Sequence, residues 1–349
     1  WSMYDDWLEL LSQAEIQPLL FLNRQPAWAS TFVAGALDES DSLEFGEFVH
    51  AAVARYSASP YGVTHWEVYN EPDNSDISLA ERGWGFWGND GAGYAEQLAL
   101  VYPAIKSANL AAQLVFGGVA HEYFVENGGP FVRSFITDVL KAGGGAYFDV
   151  FNFHYYGTDL PGQIRYFRQM LAGYELNKPL ICTEAGTDSG IPAVEDAGDI
   201  YAEYLPKVMV QGIAGGLRVV DWFALADMES TWRPGLFSLK RTFRPTYRVY
   251  QVLTGVLRSA RYQCPLSIPE NPHASLEGYV FSVPQANGRL DVVWDVSGQG
   301  VVWQVSAPWV YITDREGNTW YKYDGQDGVF DGRTTLFVDA NPLYVLYGR

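Results

Sequence analysis

The stretch Thr64-His65-Trp66-Glu67-Val68-Tyr69-Asn70-Glu71-Pro72 decides how this chain is read. Trp66, Val68 and Tyr69 favour a strand. Pro72 removes a backbone donor and stops the pairing. Glu71 therefore falls where a strand opens into a loop, beside the amide of Asn70. In an α/β barrel, that end of a strand carries the chemistry. A lone glutamate at a strand end is usually a surface loop residue, so its meaning depends on what else the chain brings to it.

Working outward, an amphipathic pattern over 5–16 predicts a helix, and the apolar run 18–22 a short strand. A polar loop with Asn23, Arg24 and Trp28 follows. Helices are predicted over 43–57, 94–108, 131–141, 163–176, 201–211 and 246–257. Strands are predicted over 113–119, 148–155, 179–184 and 216–225. Strand and helix alternate six times, and the strands read as continuous apolar runs. That is the pattern of a parallel sheet buried on both faces. A closed eight-unit barrel takes about 250 residues. The expected fold is α/β, a (β/α)8 TIM-type barrel over 1–258, with the first two strands not visible in the chain. From about Ser259 short β runs separated by Ala286-Asn287-Gly288 and Glu316-Gly317-Asn318 predict an all-β sandwich over 259–349.

The 349 residues are 48% hydrophobic, enough for one large core and a smaller one. The formal charge of −18 is the wrong sign for a phosphate-binding surface, so no nucleic-acid partner is expected. The acidity itself reads as solubility. No apolar run approaches the ~18 residues of a membrane span. Aromatics make up 15% of the chain, more than cores alone require, which suits a cleft that stacks the flat faces of sugars. Cys182 falls in a predicted core strand and reads as a buried free thiol. The five histidines lack metal-ligand spacing, so no metal and no cofactor are expected.

A second strand ends as the first does. Pro179-Leu180-Ile181-Cys182-Thr183-Glu184 stops at a carboxylate, and Ala185-Gly186 opens the loop. In the unit count Glu71 and Glu184 lie on strands three apart, which in a closed barrel sets them across one mouth. Cleavage of a glycosidic bond needs two such carboxyls. One gives its proton to the leaving oxygen; the other attacks or activates water.

The wording Trp66-Glu67-Val68-Tyr69-Asn70-Glu71-Pro72 resembles the acid/base strand of clan A retaining glycoside hydrolases, and Thr183-Glu184 resembles their nucleophile strand. Among the families the chain looks closest to family 39, the β-xylosidase and iduronidase group; families 5, 30 and 51 stay as alternatives. The resemblance implies Glu71 as acid/base and Glu184 as nucleophile, with Asn70 bonding the sugar 2-hydroxyl. It implies that His154 and Tyr156 match the His-x-Tyr of the sixth strand and that Trp222 floors the sugar site. Trp28, Trp84, Trp87 and Trp232 are candidate subsite walls, and Asn23 and Arg24 candidate sugar contacts. Glu67 shares the parity of Glu71 and reads as an internal brace bonded to a neighbouring strand. Trp1-Ser2-Met3-Tyr4-Asp5-Asp6 resembles the segment after the clan's second strand, so the sheet is expected to have exposed edges.

The expected function is a retaining glycoside hydrolase acting on a glycoside, oligosaccharide or polysaccharide. A non-catalytic carbohydrate-binding protein descended from such an enzyme is the rival of another class. A metal-dependent barrel hydrolase is disfavoured by the ligand count.

Overall fold

The computed structural model describes residues 1–26, 28–29, 35, 42–81, 85–187, 198–228, 234–267 and 275–348. Trp84 and Trp232 lie outside the described residues. The chain divides into two units, Trp1–Tyr155 with Ile164–Glu184, and Tyr156–Gln163 with Ala185–Arg349.

The first unit runs α1 (Ser2–Gln13), β1 (Leu19–Leu22), α2 (Ser42–Tyr56), β2 (His65–Val68), α3 (Ile77–Ala80), α4 (Gly91–Ala108), β3 (Gln113–Val115), α5 (Phe135–Lys141), β4 (Phe151–Tyr155), α6 (Leu160–Gly173) and β5 (Leu180–Ala185). β1, β2 and β3 pair in parallel, with Leu22 opposite Val68 and Glu67 opposite Val115. Parallel bridges Val115–Val150 and Val119–Phe153 carry the order on to β4, which neighbours β5. Chain order and spatial order therefore coincide, each parallel step needing its helical crossover. Among the described residues β1 has β2 as its one strand neighbour, and Phe21 on it is 57% exposed.

β4 is buried at every position, its Phe151 and Phe153 alternating with the polar Asn152 and His154. Helix α4 turns Tyr94, Leu98, Val101 and Ile105 inward. Tyr94 meets Phe116 and Phe135 at ring centroids 5.3 and 5.4 Å apart. Phe116 continues to Phe148 and Phe151, and Phe151 and Phe153 to Phe167. Part of the aromatic content thus fills this core. Each such ring contributes roughly 1.5–3 kcal/mol by leaving water.

The second unit holds α7 (Gly198–Ala214), β6 (Val220–Trp222), α8 (Pro245–Leu257) and β7 (Arg261–Pro265). β8 (Leu276–Val283), β9 (Gly288–Asp295), β10 (Val301–Val305), β11 (Trp309–Thr313), β12 (Thr319–Tyr323), β13 (Thr334–Val338) and β14 (Leu343–Gly348) follow. Six strands form one sheet in the order β12-β11-β14-β9-β8-β7, and β10 pairs with β13 in a second ribbon. Val301, Trp303 and Val305 alternate inward along β10 and share a core with Val293, Ile312, Leu336, Val338 and Val345. The ribbon therefore covers one face of the larger sheet, in the manner of a sandwich. β7 was not anticipated: Arg261, Gln263 and Cys264 are exposed on this outer strand, so it carries no apolar alternation. Cys182 is a buried thiol outside any disulfide, as expected, its Sγ donating to Glu184 O at 3.2 Å, and Cys264 is exposed. No described helix is long and apolar enough to cross a membrane.

Candidate active site

Three polar side chains converge where β2, β4 and β5 end. His154 Nδ1 lies 3.0 Å from Glu71 Oε1 and 3.5 Å from Glu184 Oε2. One ligand atom from each of the three falls within 4.8 Å of the others. The side chains of His154 and Glu71 are 1% and 7% exposed, that of Glu184 21%. The pairing expected of Glu71 and Glu184 is thus met in space, with His154 between them.

The position of Glu71 is fixed by backbone. Regular pairing stops at Val68, and Tyr69 and Glu71 then adopt φ of +65° and +46°. Left-handed backbone costs a non-glycine residue of order 1 kcal/mol and persists only where neighbours hold it. Here Tyr69 N–H donates to Leu22 O and Glu71 N–H to Gly118 O, both at 3.0 Å. The Tyr69 ring is buried against Trp87 and Tyr94, and its hydroxyl pairs with Gln25. Residues 85–88 run along the outside of the turn, with Gly85 N–H donating to Asn70 O at 2.7 Å and Trp87 N–H to Pro72 O at 3.0 Å. A side chain at Gly85 would meet Asn70 O and Glu71 O, so glycine is required there.

A second layer lies beneath the carboxylates. Glu67 is 3% exposed, and its Oε1 accepts the Gly118 N–H at 2.8 Å. Thr183 also bonds the Glu67 carboxyl. Asn152 is fully buried; its Nδ2 donates to Thr183 Oγ1 at 2.7 Å and its Oδ1 accepts the Thr183 N–H at 3.1 Å. Thr183 immediately precedes Glu184, so this pair of bonds sets where β5 delivers its carboxylate. Glu67 is thus the brace its parity suggested, while Asn152 escaped the reading. Its signal was present, a polar residue two positions before His154 and on the same face of an otherwise apolar run.

Gly118 leaves room for the imidazole. A Cβ built there would overlap His154 Nε2 and come within 2.5 Å of Cδ2. Gly118→Ala is expected to cost about 1–3 kcal/mol through overpacking. It should also lower kcat at least tenfold by pushing His154 off the two carboxylates. Denaturant midpoints and kcat together check this; wild-type kcat would show that the ring has another way to sit.

Burial and charge shape the protonation. Burial raises the Glu71 carboxyl; the His154 hydrogen bond and charge oppose this, and the charge of Glu184 adds to it. Burial likewise pushes Glu67 up to about 7, and Asp73, whose oxygens accept the Ala120 and His121 N–H groups, up to about 7. For His154 burial acts downward, but the charges of Glu184, Glu71 and Glu67 outweigh it and lift the imidazole to about 9. Glu67, Asp73 and His154 each bind a proton more tightly in the folded chain. Each therefore stabilises the fold most below its unfolded value and loses that contribution as pH rises through the folded one. The loss spans about pH 4 to 7 for the two carboxyls, and 6.5 to about 9 for His154. The thermal midpoint is expected to fall from about pH 5 to 9, and Glu67→Gln to flatten the lower half. A midpoint that rises over this range would contradict the assignment.

The remaining sequence candidates divide. Asn70 is partly exposed and bridges Gly118 through its backbone. Asn23 and Arg24 leave β1 at the same strand end, Arg24 with φ of +68°. Trp28 is 67% exposed. Trp87, expected as a subsite wall, is 4% exposed and packed between Tyr69 and Tyr94, a core residue behind the Glu71 turn. In the second unit the Tyr156 ring lies against Gly186, where a side chain would meet its Cε1 at 2.7 Å. Trp222 Nε1 donates to Pro234 O at 2.8 Å, and its ring tilts against Tyr204. Trp84 and Trp232 are outside the described residues.

No family model and no curated protein matches the sequence. Solved structures do resemble the fold. A family 39 glycoside hydrolase from the gut symbiont Bacteroides cellulosilyticus WH2 is 18% identical, with TM-score 0.75 over 99% of this chain and 70% of that one. A family 39 β-xylosidase from Caulobacter crescentus is 15% identical, with TM-score 0.65 over 100% and 83%. A family 51 α-L-arabinofuranosidase from Bifidobacterium longum is 13% identical, with TM-score 0.62 over 99% and 79%. At these identities the likeness is one of fold. The chain has the mixed α/β architecture with all-β sheets that the family 39 and family 51 glycoside hydrolases of clan A share.

Proposed function

We propose that this chain is a retaining glycoside hydrolase with Glu71 as acid/base and Glu184 as nucleophile. The observation that carries the proposal is the pair of carboxyls on strands three apart, with oxygens within 4.8 Å and His154 between them. Carboxyls in a retaining site stand roughly 5–5.5 Å apart, whereas an inverting site needs about 6.5–9.5 Å to admit a water. With the proposal goes a (β/α)-barrel catalytic domain over 1–258 and a β-sandwich accessory domain over 259–349.

Glu71, the more buried carboxyl, whose pKa burial raises, gives its proton to the glycosidic oxygen as the C–O bond breaks. A Glu184 oxygen attacks the anomeric carbon and forms a glycosyl ester, so the negative charge of Glu184 disappears. Beside burial, that charge raises the Glu71 carboxyl, so its loss lowers the proton affinity of Glu71 and favours its turn as base. Glu71 then takes a proton from water, whose oxygen attacks the anomeric carbon and releases Glu184. Asn70, at the strand end beside Glu71, is assigned to the sugar 2-hydroxyl.

The test is a panel of aryl β-xylosides and β-glucosides with the product anomer followed by NMR. The β-anomer is expected to appear first; first appearance of the α-anomer would overturn retention, and an inert panel would overturn this reading. Glu71, His154 and Glu184 also form a donor set that could hold a cation. Activity is nonetheless expected to survive chelator. Loss restored by a divalent ion would turn the trio into a metal site.

A further inference from the structure

On the loop side of the first unit there is a hollow of about 560 Å³, lined by Asn89, Glu126, Arg133, Ser134, Thr137 and Tyr166 among others. That volume falls in the range of small-ligand sites. The lining comes from the segments after β2 and β3 and from the first turns of α6. These segments follow the strand ends near Glu71 and His154, β3 being paired with β2 and bridged to β4 through Val115–Val150 and Val119–Phe153.

The walls have the chemistry that recognises a neutral sugar. Tyr166 is 43% exposed and lies flat on His121, with centroids 5.0 Å and planes 24° apart, so one face is backed and the ring is presented as a rigid plate. His121 is itself gripped by Phe124 and Phe167. It is 9% exposed, and among the described residues its Nδ1 has no hydrogen-bond partner. Arg133 stacks over Phe124 at 3.7 Å and pairs with Glu126, which holds two planar polar forks at the rim. An apolar plate beside forked donors and acceptors fits a pyranose, with its C–H face and its ring of hydroxyls. Because Glu126 balances Arg133 and the chain carries a formal charge of −18, an acidic sugar is disfavoured.

The hollow is also tied to the proton donor. Asp73, two residues beyond Glu71, accepts the His121 N–H at 2.9 Å, and His121 carries Tyr166. The leaving group of a glycoside lies on the side of the general acid. We propose that this hollow is a distal subsite binding a neutral pyranose unit on the leaving-group side of an oligosaccharide substrate. The assignment of side rests on Glu71 being the acid.

The test uses the Glu184→Gln protein, titrated calorimetrically with neutral xylo- and gluco-oligosaccharides of increasing length. Affinity is expected to rise as chains become long enough to reach Tyr166. Adding Tyr166→Ala should remove about tenfold of that gain, while Tyr166→Phe, which keeps the plate, retains it. Ser134→Trp, at an exposed position, should block the hollow without removing the plate. Length-dependent affinity unchanged by both Tyr166→Ala and Ser134→Trp would overturn the proposal. Length-dependent binding lost in these variants would uphold the subsite even if the wild-type protein hydrolysed nothing, so the two readings fail separately.

Discussion

Glu184→Gln is expected to lower kcat on an aryl β-glycoside by about four orders of magnitude or more, because on the proposed mechanism it replaces the attacking carboxylate with a neutral amide. The substitution keeps the shape of the side chain, and the Asn152–Thr183 bonds still hold β5, so the loss should come without unfolding. A second readout belongs to His154. The charge of Glu184 is the foremost of the causes that lift its imidazole to about 9. In the variant, the imidazole should therefore titrate lower, visible by NMR of the ring nitrogens. Glu184→Ala in azide should yield a glycosyl azide of inverted anomeric configuration, since the anion attacks from the vacated side. Residual turnover above a few per cent, with no azide product, would point to another nucleophile.

Glu71→Ala is expected to separate substrates by leaving group. General acid assistance contributes roughly 10²–10⁴-fold where the departing oxygen needs a proton. Alkyl glycosides and oligosaccharides should therefore lose about a thousandfold in kcat/KM, while a dinitrophenyl glycoside loses little in its first step. With no base to activate water, the glycosyl-enzyme should accumulate and be visible by mass spectrometry. The alkaline limb of the pH profile should vanish with the titrating carboxyl. A uniform loss across leaving groups would mean that Glu71 shapes the site without passing the proton.

The alternation of apolar runs and amphipathic stretches made the α/β part readable, because each parallel strand must be buried and each crossover needs a helix. Strand ends at Glu71 and Glu184 were readable because the chain punctuates them, with Pro72 after one and Gly186 after the other. What escaped the sequence depended on distance in space. The parity of Asn152 with His154 marks it as a polar residue facing the site, but nothing local names Thr183 as its partner or Gly118 as the space for an imidazole. Trp87 misled for the converse reason. A tryptophan in a Gly-rich loop looks exposed until the chain doubles back and the ring closes over Tyr69. β7 was overlooked since an outer strand with polar side chains has no period to detect.

The interior brace from the Gly118 amide through Glu67 and Thr183 to Asn152 has a further consequence. It joins β2, β4, β5 and the segment after β3, and through Thr183 it fixes where β5 presents Glu184 opposite Glu71. The gap between the two carboxyls selects stereochemistry, because a few ångströms more would admit a water between Glu184 and the anomeric carbon. On the proposed mechanism, stereochemical outcome would then depend on buried amide and hydroxyl contacts. If the chain retains configuration as proposed, remodelling Thr183 and Asn152, with both glutamates untouched, is expected to shift it toward inversion, read by the product anomer in NMR.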